Sequence, residues 1–483
     1  MTAAPTKPVV SRPLAVLAVL LPVFVAGCVA VWSFTIDDAF ITFRYSANLA
    51  QGDGPTWNPG ADPVEGFTNF AWMAWHAAFA VLGLALPVVA KVTSVLLGLA
   101  TLAQLVVTST RAGGWTAAVV AGGTFVAFVP TYFHVVGGLE TMAFAAVVLR
   151  MVVLGLTAVR GRPVRDWEPP LLFLLAGLLR PEGVLAALPA LAVWLWHARS
   201  RPAARWWTGA AAAAGAGYFA WRWSYYGYPF PNTFYVKFGD LAAGEDWVWS
   251  TAAAFLPLLA SVLVLLVRRQ GLLIASTVAA TYLAYALSGP SMDYVHRFAF
   301  HAFPVLCLAA GLAVAALRRW LGMLCGAVTI AWTALAGAWV PDLGTIADYG
   351  DDLGRAHVAI GKGLADAPVP ERARSLAVSD AGAIPYYSGW TTTDYLGLND
   401  EAVTHGADVT SVVRAAAPTV LVVTAPGPEV PDVAYGLRIP DVSAGYRHVA
   451  AVWMRQAYYQ HVLVVPEWAD AVRTGLDRVR GGT

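Results

Sequence analysis

The chain is 483 residues long, 58% hydrophobic and 13% charged, against about 25% charged for a soluble domain. Its formal net charge is +1, so it lacks the broad basic field that a nucleic-acid partner requires. Apolar runs over 14–34, 87–108, 116–136, 251–267, 271–287, 303–317 and 320–340 approach or meet the roughly 20 residues that cross a bilayer core as a helix. One such run suits a buried core helix, whereas this many define a polytopic α-helical membrane protein.

The first run, preceded by Lys7 and Arg12, is longer than the roughly 7–15 apolar residues of a signal peptide and reads as an uncleaved helix. Basic clusters mark cytoplasmic loops. They are Arg160, Arg162 and Arg165; Arg199, Arg201 and Arg205; Arg268 and Arg269; and Arg318 and Arg319. The turns between them then face outward, and these carry nearly every polar motif. The expectation is a cytoplasmic-membrane protein whose working face is extracytoplasmic. Two stretches leave the span number open. Residues 69–110 look like two helices where charge parity asks for one or three. Residues 171–196 are interrupted by Arg180-Pro181-Glu182-Gly183, as one kinked span or two short ones. The expected total is about ten to twelve spans.

Bundle and tail divide at residue 340. From 341 to 483 charge returns to ordinary levels. Short β-type runs at 375–378, 420–424, 448–452 and 461–465 alternate with helical patterns at 401–417 and 468–478, predicting a C-terminal extracytoplasmic α/β domain. Cys28, Cys307 and Cys325 all fall inside apolar runs and read as small hydrophobes, neither a disulfide framework nor a metal site.

The first outer loop, residues 35–68, opens with Asp37-Asp38-Ala39-Phe40-Ile41-Thr42-Phe43-Arg44-Tyr45. Adjacent carboxylates at a membrane boundary suit a cation site, a general base or a helix cap, and one Asp can cap while its neighbour faces a cavity. Arg180 and Glu182 are ionisable residues within an apolar stretch and therefore site candidates, or a structural pair with each other or Glu140. Lys237 reads equally as a phosphate ligand or an interfacial residue. The aromatic stretch Trp221, Trp223, Tyr225, Tyr226 and Tyr228 reads first as an interfacial belt and second as a sugar platform.

The opening motif is followed by Trp57-Asn58-Pro59-Gly60, Val64-Glu65-Gly66-Phe67-Thr68-Asn69-Phe70, Gly138-Leu139-Glu140-Thr141 and Leu179-Arg180-Pro181-Glu182-Gly183. Pro231-Asn232-Thr233-Phe234-Tyr235-Val236-Lys237, Asp293 with Arg297-Phe298, Asp380-Ala381-Gly382-Ala383 and Asp394-Tyr395-Leu396-Gly397-Leu398-Asn399-Asp400 complete the set. In this order the motifs resemble the actinobacterial terminal β-(1→2) arabinofuranosyltransferases of cell-wall arabinan, membrane enzymes of the GT-C class. The tail is shorter than in those enzymes, and Gly289-Pro290-Ser291-Met292 stands where they carry a Gly-Gly-Asp type of turn.

The resemblance implies a GT-C bundle over residues 1–340. Its substrates would be a polyprenyl-phosphate donor, decaprenyl-phosphate arabinofuranose in particular, and a hydroxyl of a cell-envelope polysaccharide such as arabinogalactan or lipoarabinomannan. Asp37, then Asp38, with Glu65 third, is the implied base. Arg180, Lys237, His296 and Arg297 are the implied phosphate contacts. Arg44, Asn69, Glu140, Glu182, Asn232, Tyr235 and Asp293 complete the implied substrate contacts. No cofactor is required by this chemistry, although Asp37, Asp38 and Glu65 offer hard oxygen ligands to a divalent cation. A mannosyltransferase using polyprenyl-phosphate mannose and a lipid-linked glycan flippase are the alternatives. Against the flippase, only one broken segment is present, with no second half echoing it.

Overall fold

A computed structural model describes residues 11–237, 239–267, 269–289 and 293–481. The first helix, α1 (Ser11–Ala30), leads into α2 (Asp37–Gln51), whose first turn carries Asp37 and Asp38 at the end that favours negative charge. Gly52, at φ 95°, closes α2 by returning its N–H to the last turn, a left-handed conformation that glycine adopts without penalty. Most of α2 is buried, so it is a plug between the bundle and the tail rather than a surface helix.

After α3 (Phe70–Ala80), α4 (Leu86–Ala127) is far longer than one crossing needs, but it breaks at Gly114, where φ is 74° and ψ −153°. A Cβ added at Gly122 would lie 2.9 Å from Val106, so the two arms, 86–113 and 115–127, fold back on each other as two passes. The short α5 (Pro130–Val136) leads to α6 (Thr141–Val159), α7 (Glu168–Leu179) and α8 (Gly183–Ala198). Arg180 is extended, at φ −154°, and separates α7 from α8. At Gly183 a Cβ would meet the carbonyl oxygen of Ala176 at 2.1 Å, whereas seven residues of continuous helix would span about 10 Å. The interrupted stretch is therefore two short helices in a tight hairpin.

The bundle continues through α9 (Pro202–Tyr226), α10 (Asn232–Lys237), α11 (Leu241–Ala254), α12 (Leu256–Leu266), α13 (Arg269–Ser288), α14 (Phe303–Val314) and α15 (Arg319–Ala338). Among the described residues five helices are long and apolar enough to cross a membrane, and α11 with α12, bent by 83°, would make a sixth. The sequence-based expectation of ten to twelve spans counted apolar length. The structure divides that length between the two arms of α4 and the shorter apolar helices α7, α8 and α14. Every residue of α14 is buried, so this helix is wrapped by protein rather than lipid.

In the tail, α16 (Leu343–Ala347), α17 (Tyr349–Leu353) and α18 (Ala359–Asp366) precede a five-stranded mixed sheet. Its strands are β1 (Ser375–Val378), β2 (Thr391–Asp394), β3 (Val420–Ala425), β6 (Arg447–Arg455) and β7 (Tyr458–Val464), in the order β2-β1-β3-β7-β6. β1 runs parallel to β2 and β3, and β7 antiparallel to β3 and β6. A separate ribbon pairs β4 (Val433–Ala434) with β5 (Leu437–Arg438). The four expected strand runs coincide with β1, β3, β6 and β7. The edge strand β2 was not expected, because its Thr-Thr-Thr-Asp sequence has no apolar alternation. The expected helix over 401–417 is two, Glu401–Thr404 and Val409–Ala416, parted at Gly406, which has φ 90°. Between β1 and β2, α19 (Ala383–Ser388) lies against α2, and one continuous cluster of buried residues joins Phe34 and Phe40 to Ile384 and Val378. The tail therefore packs on the bundle through α2.

Candidate active site

Residues distant in sequence surround a cavity of about 470 Å³ between α2, the α7–α8 hairpin, α13 and the connection after it. Asp38 projects into it from the first turn of α2, with Thr42 one turn on. Its carboxylate lies 4.0 Å from the Arg297 guanidinium, which also lies 3.9 Å from Glu140. Glu140 accepts from Arg180 at 3.0 Å and from the Asn69 amide at 2.7 Å. Arg180 in turn holds Glu182 at 2.5 Å, and the Tyr285 hydroxyl donates to the same Glu182 oxygen. Both guanidinium groups rest over the Phe298 ring, at 5.2 Å for Arg180 and 5.3 Å for Arg297. The two arginines are not equivalent. Arg180 is committed to two carboxylates, whereas Arg297 has ion-pair distances at the limit of contact and a buried Nε without a hydrogen-bond partner among the described residues. A buried cationic donor of this kind suits an incoming anion.

The turn before Arg297 makes this possible. Val295 and His296 have φ of 46° and 61°, a left-handed pair that costs on the order of 1–3 kcal/mol per residue. It is held by the Val295 carbonyl bonded to His134 at 3.0 Å and by the Phe298 N–H donating to Asp293 at 2.8 Å. Its effect is to send His296 and Arg297 to opposite sides. His296 packs near Phe128 and Phe255 and lines a second cavity with Asp293, where burial lifts the Asp293 carboxyl to about 7.

Several sequence-expected site residues serve the tail instead. Asp37 accepts from the backbone N–H groups of Gly382 at 3.0 Å and Ala383 at 2.8 Å, and pairs with His357 at 3.2 Å. The other face of His357 meets Asp380 at 3.4 Å. Burial alone pushes that imidazole down, but Asp37 and Asp380 outweigh it and leave its pKa raised. Arg44 donates to the Pro385 carbonyl at 2.5 Å, the Trp390 carbonyl at 2.9 Å and Asn58 at 3.0 Å. Both residues are struts between α2 and the tail. Glu65 is buried against Arg222 of α9 at 2.5 Å. Asn232 is buried and donates its backbone N–H to the Glu65 carbonyl. Tyr235 is exposed, 5.1 Å from the His405 ring. The expectation for Lys237 falls on a side chain outside the described residues. Asp37, Asp38 and Glu65 do not converge, and among the described residues no group of three His, Cys, Asp or Glu could hold a metal ion.

Sequence reasoning missed Tyr285, Arg222 and His357. Arg222 carried a signal, a lone charge among Trp221 and Trp223 on an apolar helix. His357 carried none, because its partners lie in remote segments.

An apolar groove of about 580 Å³ runs between α7, α8 and α9, lined by Leu174, Leu178, Leu188 and Phe219. It shares Thr68, Pro181, Phe230 and Pro231 with the polar cavity, so the two adjoin. The chain is thus a multi-pass helical bundle that holds a charged cavity beneath a C-terminal α/β domain. Among solved structures the chain is similar to ArnT from Cupriavidus metallidurans bound to undecaprenyl phosphate, with 15% identity, a TM-score of 0.61 and coverage of 94% of this chain and 98% of that one. The apo state of that protein gives 16% identity, a TM-score of 0.58 and the same coverage. The arabinofuranosyltransferase AftD from Mycobacteria matches at 12% identity and a TM-score of 0.52, over 92% of this chain and 40% of AftD. The likeness is one of fold. A family described as "Domain of unknown function (DUF8728)" matches residues 349–469, and no curated protein matches the chain.

Proposed function

We propose that this protein is an inverting glycosyltransferase that moves a sugar, arabinofuranose by the sequence resemblance, from a polyprenyl phosphate to a hydroxyl of a cell-envelope glycan. The observation that carries the reading is Asp38 beside Arg297, 4.0 Å apart, in a polar cavity that borders an apolar groove. The groove takes the prenyl chain, and the cavity takes phosphate and sugar. Asp38 accepts the proton of the acceptor hydroxyl as its oxygen bonds to the anomeric carbon. The carbon–oxygen bond to phosphate breaks on the opposite face, and the leaving phosphate keeps the electron pair. Arg297, with its unpartnered Nε, stabilises that charge. Arg180, locked between Glu140 and Glu182, positions the wall, and no step is assigned to a metal ion.

The ArnT structure's undecaprenyl phosphate and the AftD name support a lipid-phosphate donor and arabinofuranose respectively. The test is transfer by the protein in nanodiscs, supplied separately with labelled decaprenyl-phosphate arabinofuranose and polyprenyl-phosphate mannose. Incorporation of arabinose alone supports the reading, and incorporation of mannose alone reverses the choice of sugar. Transfer of neither sugar, with movement of intact lipid-linked glycan across the bilayer, would favour the flippase.

A further inference from the structure

The polar cavity around Asp38 and Arg297 is lined almost wholly by the bundle, and among its described lining residues Leu398 alone comes from the tail. Leu398 sits in the turn after β2, 6% exposed, in one buried cluster with Ile41 and Phe67. Those two bundle residues line the same cavity, so the three side chains close it at the seam between tail and bundle. Ile41 is three residues on from Asp38 and shares its face of α2, which places the seam next to the carboxylate.

The turn that carries Leu398 is held from both sides. The buried Asp394 carboxylate accepts from the N–H groups of Leu396 at 3.0 Å and Asn399 at 2.9 Å, and from the Asn399 side-chain amide at 2.9 Å. On the bundle side the Tyr45 hydroxyl of α2 lies 3.2 Å from the Asn399 amide oxygen and accepts from the Gly66 N–H at 3.0 Å. A Cβ at Gly66 would stand 1.8 Å from that amide oxygen and 2.9 Å from the Leu398 carbonyl oxygen. The turn therefore lies directly on the Gly66 backbone, itself part of the cavity wall.

We propose that Leu398 decides whether the sugar passes to the acceptor or to water, and that Asp394 is the positioning residue that holds it in place. The inference rests on the glycosyltransferase reading and deepens it, giving the tail a part in the specificity of that site. A base that takes the proton of an acceptor hydroxyl can take one from water in the same way. The water oxygen would bond to the anomeric carbon, its proton would pass to Asp38, and the phosphate would leave with the electron pair. The products would be free sugar and polyprenyl phosphate. A held water needs roughly two to four polar partners. The side chains of Ile41, Phe67 and Leu398 offer none, and they fill the seam beside the base. Closing a site against water suppresses this side reaction.

The experiment supplies the full-length protein in nanodiscs with labelled decaprenyl-phosphate arabinofuranose and an arabinan oligosaccharide. It reads the partition of consumed donor between free arabinose and lengthened oligosaccharide. This ratio does not depend on how much of a variant is folded. Leu398→Ala should raise the hydrolysed share by roughly three- to tenfold, and Asp394→Asn should move it the same way. Leu398→Met, which keeps the volume, should stay close to the wild type. Val413→Ala opens a separate buried cluster of the tail and should leave the partition unchanged. An unaltered partition in Leu398→Ala, or an equal rise in Val413→Ala, would overturn the inference while leaving transfer by the wild type intact. A wild type that consumes no donor would remove the glycosyltransferase reading, and the inference with it.

Discussion

Asp37 and Asp38 are adjacent in the first turn of α2, yet Asp37 lies 3.2 Å from His357 of the tail and Asp38 faces Arg297 of the bundle. Successive residues on a helix point about 100° apart, so one turn serves both a domain contact and the polar cavity. α2 is thus the element through which the position of the tail and the shape of the site depend on each other.

Asp38→Asn is expected to lower transfer by about 10²–10⁴-fold, the usual worth of a general base, with little change in thermal stability. Asp37→Asn is expected to do the reverse. It removes a buried carboxylate that serves two backbone N–H groups and His357, which costs on the order of 1–3 kcal/mol of stability. Transfer assays beside thermal unfolding of both variants check this, and equal loss of activity with unchanged stability in Asp37→Asn would contradict it.

The arginines should separate in the same way. Arg297→Gln is expected to depress turnover, with Arg297→Lys recovering part of it, because the proposed role is to meet a leaving phosphate. Arg180→Gln would leave Glu140 and Glu182 buried without their cation, and should cost about 3–5 kcal/mol of stability. Comparison of kcat with unfolding temperature for the three variants decides the matter.

The docking of the tail should depend on pH. The His357 pKa is raised in the fold by Asp37 and Asp380. Its contribution is therefore fully present below the unfolded value of about 6.5 and is lost as pH rises through the folded value. Thermal stability should fall over that window in the wild type and be flatter there in His357→Gln. An identical slope in both would rule out this histidine as the source.

Gly382→Ala should loosen the tail. Its Cβ would stand 2.2 Å from the Asp37 carbonyl oxygen and 2.3 Å from the Asp37 carboxylate, an overlap relieved only by moving backbone. Overpacking of this kind costs typically about 1–3 kcal/mol. Limited proteolysis should cut the variant ahead of β1 faster than the wild type.

Much of this architecture was legible in the chain itself. Long apolar runs, cut by Arg180-Pro181-Glu182 and ended at residue 340, are local properties, and they define a membrane bundle followed by an α/β tail. The four apolar strand runs were legible for the same reason, and the polar edge strand β2 was not. The motifs around Asp38, Asn69, Glu140, Arg180 and Arg297 marked polar residues in apolar surroundings, where an ionisable group stands out.

Their division of labour was decided only by the tertiary structure. Asp37 and Asp38 have the same side chain and almost the same sequence context, and they differ because His357 and Gly382 stand on one side of α2 and Arg297 on the other. His296 and Arg297 part company because two left-handed residues turn the chain between them. Such roles are set by contacts between remote segments, whereas composition and periodicity record only what each segment prefers by itself.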